Sequence, residues 1–305
     1  MNKMKFICAC SDLGVDVDGA QYGPTKIIEK MEISDNSIIE KTNCDKSKDP
    51  TDLRKNLKAV NIFNYELFNE IKNTVNEDFL PITLGGDHSI AIGSALASNS
   101  INNVGIIWID AHLDYNTFDT TITGNMHGLP LAAINGLCGD LTTFTDKFIN
   151  PKNTVVVGYR SQEENRDIEM NNIKNSGGTF FTDEDIKKYG MDYIMDRAFE
   201  IASNGTDGVH ISYDLDSIDP TICPGVSVPE TGGLTYDEAM CAIKKIKSNI
   251  NKVKSFDLVE YNPINDIDNK TLDIAIQILN TLIKENDYSF SFLIFFSFKV
   301  YAIPY

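Results

Sequence analysis

Several short apolar runs in this chain show no alternation with polar residues, and this limits the folds available to it. The clearest run is VGIIWI at positions 104–109, in which every residue is apolar or glycine. A strand buried on both faces has this pattern, because helices cover both sides of a parallel sheet. Longer amphipathic segments separate these runs. The sequence therefore predicts an α/β fold of three layers (α/β/α), with a mostly parallel central sheet.

The expected elements alternate along the chain. Runs of β-branched and aromatic residues predict seven strands: Lys5–Ala9, Leu80–Leu84, Val104–Asp110, Thr154–Gly158, Thr179–Phe181, Gly208–Asp214 and Val253–Val259. Amphipathic periodicity predicts six helices: Pro24–Met31, Leu53–Val75, Ser89–Ala97, Asp183–Ile201, Tyr236–Ile250 and Lys270–Lys284. Thr235 is the expected N-cap of the fifth helix. There is no internal repeat and no long linker, so one domain over residues 1–287 is expected.

Charge and cysteine usage exclude several classes of partner. The 305-residue chain has a formal net charge of −17, whereas nucleic acids and anionic membranes require basic surfaces. Neither partner is expected. The six cysteines form no CxxC pair or disulfide framework. The apolar stretch within the first ten residues is too short for the core of a signal peptide. A cytoplasmic protein is predicted.

The last 18 residues, 288–305, differ in composition from the rest. They read YSFSFLIFFSFKVYAIPY, which is rich in phenylalanine but interrupted by serines and a lysine. This segment is too short and too polar to predict a membrane span. It is interpreted as an atypical hydrophobic tail, with an edge strand or a subunit contact as alternatives.

Three predicted strands end directly in clusters of acidic and histidine residues. The clusters are GGDHS at 85–89, DAHLD at 110–114 and SYDLD at 212–216. In an open parallel sheet, ligands bind beyond the carboxyl ends of the strands. Residues two apart in an extended chain share a face, so the spacing predicts that the side chains of each cluster point together. The resulting set is His88, Asp110, His112, Asp114, Asp214 and Asp216.

This set of side chains predicts a binuclear metal site. Four carboxylates in one cleft repel one another unless cations lie among them. Nitrogen and oxygen ligands without a thiolate favour an ion such as Mn²⁺ over a structural zinc. Six ligands exceed the need of one ion with an open position, but they suit two ions that share bridging carboxylates about 3.5–4 Å from each other. His210, four residues before Asp214, is interpreted as structural, with a possible part in orienting a ligand carboxylate.

These motifs resemble the metal-binding signatures of the arginase/agmatinase (ureohydrolase) family. The resemblance extends through GNMHG at 124–128, GGLT at 232–235 and VEYNP at 259–263, and it covers nearly the whole chain. It implies hydrolysis of a small cationic guanidino compound to urea and an amine, with two Mn²⁺ ions per chain. It also implies a homo-oligomer, either a trimer or a hexamer.

The resemblance also implies a role for each matching residue. His88, Asp110, Asp114 and Asp214 would hold one Mn²⁺ ion, while Asp110, His112, Asp214 and Asp216 would hold the other. Asp114 would have a catalytic role as well, by accepting a hydrogen bond from the activated water. His127 would deliver a proton to the departing amine, a role that suits a side chain titrating near neutrality. Glu260 would bind the guanidinium group of the substrate.

The residues expected to bind the substrate resemble more than one member of this family. Asn116 and Thr123 occupy positions that bind the amino-acid carboxylate in arginase-like proteins, and Glu163 is the candidate for the α-amino group, with Glu164 as its alternative. Val228 stands where arginases usually have a threonine, and Pro229-Glu230 is similar to agmatinases. L-arginine is the predicted substrate, and agmatine and N-formimidoyl-glutamate are the alternatives.

Two other classes of function also fit part of the sequence. A catalytically silent relative that regulates a partner would retain the metal ligands, but it would not need His127 and Glu260. A binuclear amidohydrolase acting on acetylated amines would carry Asp and His residues at strand ends, but it would lack GGDHS together with DAHLD. Release of urea from arginine distinguishes the predicted ureohydrolase from both classes.

Overall fold

The fold is built on one parallel sheet. A computed structural model describes residues 3–34, 36–40, 46 and 51–284. In this part of the chain the strands are β1 (Lys3–Cys10), β2 (Asn36–Glu40), β3 (Phe79–Gly85), β4 (Val104–Ile109), β5 (Thr154–Tyr159), β6 (Thr179–Thr182), β7 (Gly208–Asp214) and β8 (Val253–Val259). They lie in the order β2-β1-β3-β8-β7-β4-β5-β6, and every neighbouring pair is parallel.

Helices cover both faces of this sheet. They are α1 (Gly23–Met31), α2 (Leu57–Asn76), α3 (Ala91–Ile101), α4 (Pro130–Ile134), α5 (Arg166–Ser176), α6 (Asp183–Tyr189), α7 (Met191–Ala202), α8 (Tyr236–Ser248) and α9 (Lys270–Ile283). One hydrophobic core joins the sheet to α1 and α6–α9, and a second core joins its other face to α2–α5. The predicted three-layer α/β/α fold is confirmed.

The central strands are buried as their composition predicts. Every residue of β4 and β7 is buried, including the single tryptophan, Trp108. Because both faces are covered by helices, side chains that point in either direction enter a core. The acidic and histidine clusters lie at the carboxyl ends of these strands.

The structure differs from the predicted elements in four places, and one of them is α4, a five-residue helix that was not predicted. The predicted helix 183–201 is two helices, because Gly190 adopts a φ of +84° between α6 and α7. Strand β2 was not predicted, since this short edge strand is half-exposed and contains only two apolar residues. Helix α5 was not predicted either, because only Glu169 and Ile173 are buried and no apolar stripe marks it.

Other sequence features can be compared directly with the structure. Thr235 caps α8 as predicted: its Oγ1 accepts a hydrogen bond from the backbone N–H of Glu238, whose side chain accepts from the Thr235 N–H. Cysteines 8, 10, 138, 223 and 241 are free. Among the described helices, none combines the length and apolar character needed to cross a membrane. The predicted tail 288–305 lies outside the described residues.

Candidate metal centre

The six predicted ligands come from the carboxyl ends of three strands that lie close together in the sheet. His88 follows β3, the DAHLD cluster follows β4, Asp214 is the last residue of β7, and Asp216 lies in the turn after it. Glu260 follows β8, which lies between β3 and β7. The four adjacent strands β3-β8-β7-β4 thus place all these side chains at one edge of the sheet, where a ligand site is expected in this type of fold.

One group of side chains surrounds the imidazole of His88. Its Nδ1 atom lies 2.9 Å from Oδ2 of Asp214, 3.0 Å from Oδ2 of Asp110 and 3.4 Å from Oδ2 of Asp114. All four residues are buried. Nδ1 of His88 is buried and has no hydrogen-bond partner, although three carboxylates face it. A cation among these atoms would satisfy all of them.

A second group surrounds His112. Its Nδ1 atom lies 3.0 Å from Oδ2 of Asp216 and 3.4 Å from Oδ1 of Asp110. The candidate ligand atoms of His112, Asp110 and Asp216 lie within 4.8 Å of one another, as do those of His88, Asp110 and Asp214. Asp110 therefore belongs to both groups. Two adjacent groups that share one carboxylate fit a pair of metal ions.

The acidic clusters converge by a different geometry from the one predicted. Strand β4 ends at Ile109, so the DAHLD cluster is a loop and not an extended strand. Oδ1 of Asp110 accepts a hydrogen bond from the backbone N–H of His112 at 2.6 Å, and Oδ1 of Asp214 accepts one from that of Asp216 at 2.7 Å. Each aspartate thus fixes the turn that follows it, and its Oδ2 remains directed at His88.

Two residues of the site have strained backbones. Asp114 has a φ of +49° and Glu260 a φ of +67°, in the left-handed region that residues other than glycine seldom adopt. Backbone hydrogen bonds hold both: the Asp114 carbonyl accepts from Leu131, and the Glu260 N–H donates to Gly86. Strain that the surrounding structure maintains in this way is common at functional sites.

Burial sets the protonation of the carboxyl groups. It raises the pKa values of Asp114, Asp214 and Asp216, and the charge of neighbouring carboxylates raises them further. Burial also opposes ionisation of Asp110, but its interactions with His112 and His88 outweigh burial and lower the pKa of that carboxyl. Without ions, the site holds protons among its carboxylates. Divalent cations would displace these protons, so the donor set fits the metal pair predicted from the sequence.

The structure brings two of the three predicted catalytic residues, His127 and Glu260, together. Nδ1 of His127 lies 3.4 Å from Oε1 of Glu260, and the same oxygen accepts a 2.8 Å hydrogen bond from the backbone N–H of His88. Burial lowers the pKa of His127, but the hydrogen bond and the charge of Glu260 outweigh it, so the pKa is raised. Oε2 of Glu260 is buried without a partner.

The predicted substrate residues do not all reach this site. Glu163 and Val228 line the cavity beside the ligands, together with Gly128 and Glu169. Asn116 and Thr123 lie outside the cavity lining. Oδ1 of Asn116 accepts a 2.6 Å hydrogen bond from Asn165, while Thr123 is exposed and its Oγ1 accepts from the backbone N–H of Asn125. Glu164 is exposed.

Three residues that support the site were not predicted. The ring of Trp108 stacks on that of His88, with 3.8 Å between centroids, and its Nε1–H donates to Oδ2 of Asp110 at 2.8 Å. Ser212 Oγ lies 2.8 Å from Nε2 of His88. Burial, helped by the charge of Glu163, raises the pKa of Glu169 to about 8. Trp108 and Ser212 precede Asp110 and Asp214 by two positions, so strand alternation could have identified them.

His210 is not in contact with the ligand carboxylates. Its Nδ1 lies 2.7 Å from Oγ of Ser255, and its Nε2 lies 3.3 Å from Oδ2 of Asp257. All three residues are fully buried between β7 and β8. These contacts agree with the structural interpretation of His210, but not with a part in orienting a ligand.

The chain is similar to known arginases over nearly its whole length. A family profile described as "Arginase family" matches residues 2–284. The arginase of Bacillus caldovelox is 35% identical over 300 residues, which covers 93% of this chain and 99% of that protein. Its native crystal structure at pH 5.6 superposes with a TM-score of 0.84 at 33% identity, covering 94% of this chain and 99% of that one. The Entamoeba histolytica arginase in complex with L-ornithine gives a TM-score of 0.82 at 28% identity, covering 92% and 98%.

Proposed function

The chain belongs to the arginase family and is a ureohydrolase, and from this premise we propose that it hydrolyses L-arginine to L-ornithine and urea with two Mn²⁺ ions. The observation that carries the proposal is the pair of buried donor groups that share Asp110. Their nitrogen and oxygen donors, without a thiolate, suit Mn²⁺. His88, Asp110, Asp114 and Asp214 would hold one ion, and Asp110, His112, Asp214 and Asp216 the other.

When bound, the two ions supply Lewis acidity and lower the pKa of a water molecule so that it can act as a nucleophile near neutral pH. The remaining chemistry belongs to the side chains. Asp114, whose backbone has a φ of +49°, would accept a hydrogen bond from that water. Glu260 is suited to the guanidinium group, because its Oε2 atom is buried and has no partner while Oε1 is already bonded.

Proton transfer is assigned to His127. Its Nδ1 faces Glu260, so Nε2 is the atom left to deliver a proton to the leaving amine. The adjacent carboxylate raises the pKa of the ring, which favours the protonated form that a general acid requires. This pairing also distinguishes an active enzyme from a silent relative, which would have no need of a charged pair beside the metal groups.

L-arginine is the proposed substrate, because relatives about 35% identical over most of the chain are arginases, and an arginase of similar structure was crystallised with L-ornithine. Asn116 and Thr123 would bind the carboxylate of arginine, and Glu163 its amino group. Agmatine is the second candidate. It lacks a carboxylate, and the cavity lining contains two further acids, Glu163 and Glu169, but neither Asn116 nor Thr123.

The decisive experiment measures urea release by the full chain after loading with Mn²⁺. L-arginine and agmatine are compared by kcat/KM for urea release. N-formimidoyl-glutamate would give formamide and glutamate, so its kcat/KM is measured from glutamate release. Asp110→Ala is the inactive control. We expect arginine to be preferred, because polar groups built for a carboxylate stay unpaired when agmatine binds; in well-formed sites such a mismatch costs on the order of 10⁴ in kcat/KM. A higher value for agmatine would replace arginine as the substrate. Absence of urea from every guanidino compound would overturn the proposal.

We further propose that the protein is cytoplasmic and forms a homo-oligomer, either a trimer or a hexamer. Free, buried cysteines such as Cys8, whose pKa burial raises to about 12, suit a reducing compartment. The oligomer follows from the family resemblance. Sedimentation velocity of the Mn²⁺-loaded protein tests it, and a monomer at micromolar concentration would contradict it.

A further inference from the structure

The two imidazoles of the metal centre differ in what their outer nitrogen atoms contact. Nδ1 faces the carboxylates in both rings. Nε2 of His88 has a partner, the hydroxyl of Ser212 at 2.8 Å. Nε2 of His112 is buried and makes no hydrogen bond. A histidine that binds a metal through Nδ1 carries its proton on Nε2, and this N–H usually donates to an acceptor that fixes the ring.

Glu230 places an acceptor beside this nitrogen. Its Oε1 lies 3.7 Å from Nε2 of His112, and its side chain is only 17% exposed. A hydrogen bond of ordinary length requires a closure of about 0.7 Å, which the three side-chain torsions of a glutamate can provide. A carboxylate is a common acceptor for the outer N–H of a metal-binding histidine.

The backbone of Glu230 is held in position by Arg160. The guanidinium group of Arg160 donates to the carbonyl oxygens of Ser217, Asp216 and Glu230, at 3.0, 2.8 and 3.1 Å. This clamp joins the end of the ligand turn to the start of the 230–233 loop. Gly233 makes room for it: with a φ of +119°, a Cβ there would lie 2.6 Å from Nη2 of Arg160. Glu230 is therefore anchored to the same turn that carries the ligand Asp216.

We propose that Glu230 is a positioning residue for the second metal ion: it accepts a hydrogen bond from Nε2–H of His112 and so presents Nδ1 to the ion that His112 shares with Asp110 and Asp216. The role rests on the proposed function, since it needs the ions. A carboxylate acceptor also makes the ring a stronger ligand. The two histidine ligands would thus differ in the group at Nε2: a hydroxyl for His88 and a carboxylate for His112.

The test is a calorimetric titration of the metal-free protein with Mn²⁺, for wild type, Glu230→Ala, Glu230→Gln and the control Glu184→Gln. Glu184 is an exposed acid on α6, so its change removes the same charge away from His112. We expect Glu230→Ala to weaken one of two ions by about 10- to 100-fold and leave the other unchanged. Glu230→Gln should lose less, because its amide oxygen can still accept the bond. The control should match wild type.

A double-mutant cycle separates positioning from a general structural effect. If Glu230 acts through His112, Glu230→Ala should cause no further loss of Mn²⁺ affinity at the His112 site in a His112→Ala background. Additive losses would overturn the proposal. Unchanged metal affinity with a higher KM would instead make Glu230 a substrate contact, and complete loss of one ion would make it a ligand; both results overturn the positioning role. Wild-type protein that binds fewer than two ions would overturn the proposed function itself.

Discussion

At the scale of single residues, Asp110 and Asp214 use their two oxygens for different purposes. Oδ1 of each closes a turn by accepting a backbone N–H two residues later, and Oδ2 faces His88. The D-x-H and D-x-D spacings are therefore turn signatures as well as ligand signatures. This explains why side chains two positions apart converge although the cluster after β4 is not extended.

Replacing the shared carboxylate should be worse than replacing a terminal one. Asp110 contributes to both donor groups and Asp216 to one. We expect Asp110→Ala to lose both ions and nearly all urea production, and Asp216→Ala to keep about one ion per chain after desalting. Metal analysis of the loaded, desalted proteins measures this. Equal and mild losses in the two variants would show that Asp110 does not bridge.

Replacing His127 should affect the reaction and not the metals. Its ring contacts Glu260 and is not a member of either donor group. We expect His127→Ala to lower kcat by roughly 10²-fold or more, since general acid catalysis contributes on this order, while two ions remain bound. Loss of metal from this variant would instead identify His127 as a ligand.

Of the residues that support the site, those on strands could have been predicted from the sequence, and those on a loop or a helix could not. Trp108 and Ser212 follow from alternation along β4 and β7. Glu169 comes from α5, and Glu230 lies fourteen positions beyond Asp216 in an irregular loop. Neither has a local pattern that indicates where its side chain lies. Long-range packing alone brings them to the cavity and to His112.

At the scale of elements, close contact between loops holds the end of β3 in place. The backbone N–H groups of Gly86 and Asp87 donate to the carbonyls of Ala9 and Ser11, at 2.9 Å each. A Cβ on Gly86 would lie 1.6 Å from the carbonyl oxygen of Ser11. The second glycine of GGDHS is thus explained by backbone approach, and the position of His88, two residues later, depends on it.

Gly86→Ala should therefore destabilise the fold and displace His88. Overpacking of this kind typically costs about 1–3 kcal/mol, and here the clash is with backbone, which cannot move aside easily. Chemical denaturation measures the loss, with Gly139→Ala as the control because a Cβ there meets nothing within 4 Å. A Gly86→Ala protein as stable as the control would show that the two loops can separate freely.

The predicted elements were correct where tertiary burial agrees with local pattern. Strands β4 and β7 are buried on both faces and read as apolar runs. Helix α5 forms although its composition is polar. Two of its residues hold it against the sheet: Ile173 is buried, and Glu169 accepts a hydrogen bond from the Tyr115 N–H at 3.0 Å. Such elements are fixed by the site they serve, and periodicity does not reveal them.

At the scale of the whole molecule, the metal centre links stability to pH. Burial raises the pKa values of Asp114, Asp214 and Asp216, so the folded, metal-free protein binds protons that the unfolded chain releases. That contribution to stability is complete below the ordinary carboxyl range and is lost as pH rises through the raised values. Glu169, with a pKa of about 8, follows the same direction. The lowered pKa of Glu260 matters only at more acidic pH.

The metal-free protein should consequently melt at a lower temperature at pH 8 than at pH 5.5. Added Mn²⁺ should reverse this order, because ions replace the protons and bind more tightly as pH rises. Scanning calorimetry with EDTA or with Mn²⁺ across this range measures both curves. If the Tm of the chelated protein increased with pH, the protonated, metal-free site would be ruled out.

The single direction of the strands has a consequence for how such a protein can change over generations. The two ends of the strands differ in function. At the amino ends lie Lys3, Phe79 and Val253, and replacing them can affect the reaction only by changing the stability of the fold. At the carboxyl ends, the loop from Asp216 to Thr235 can be lengthened or rewritten while β7 and β8 remain paired beneath it. Substrate specificity can therefore evolve through changes in the loops, while the hydrophobic core stays the same.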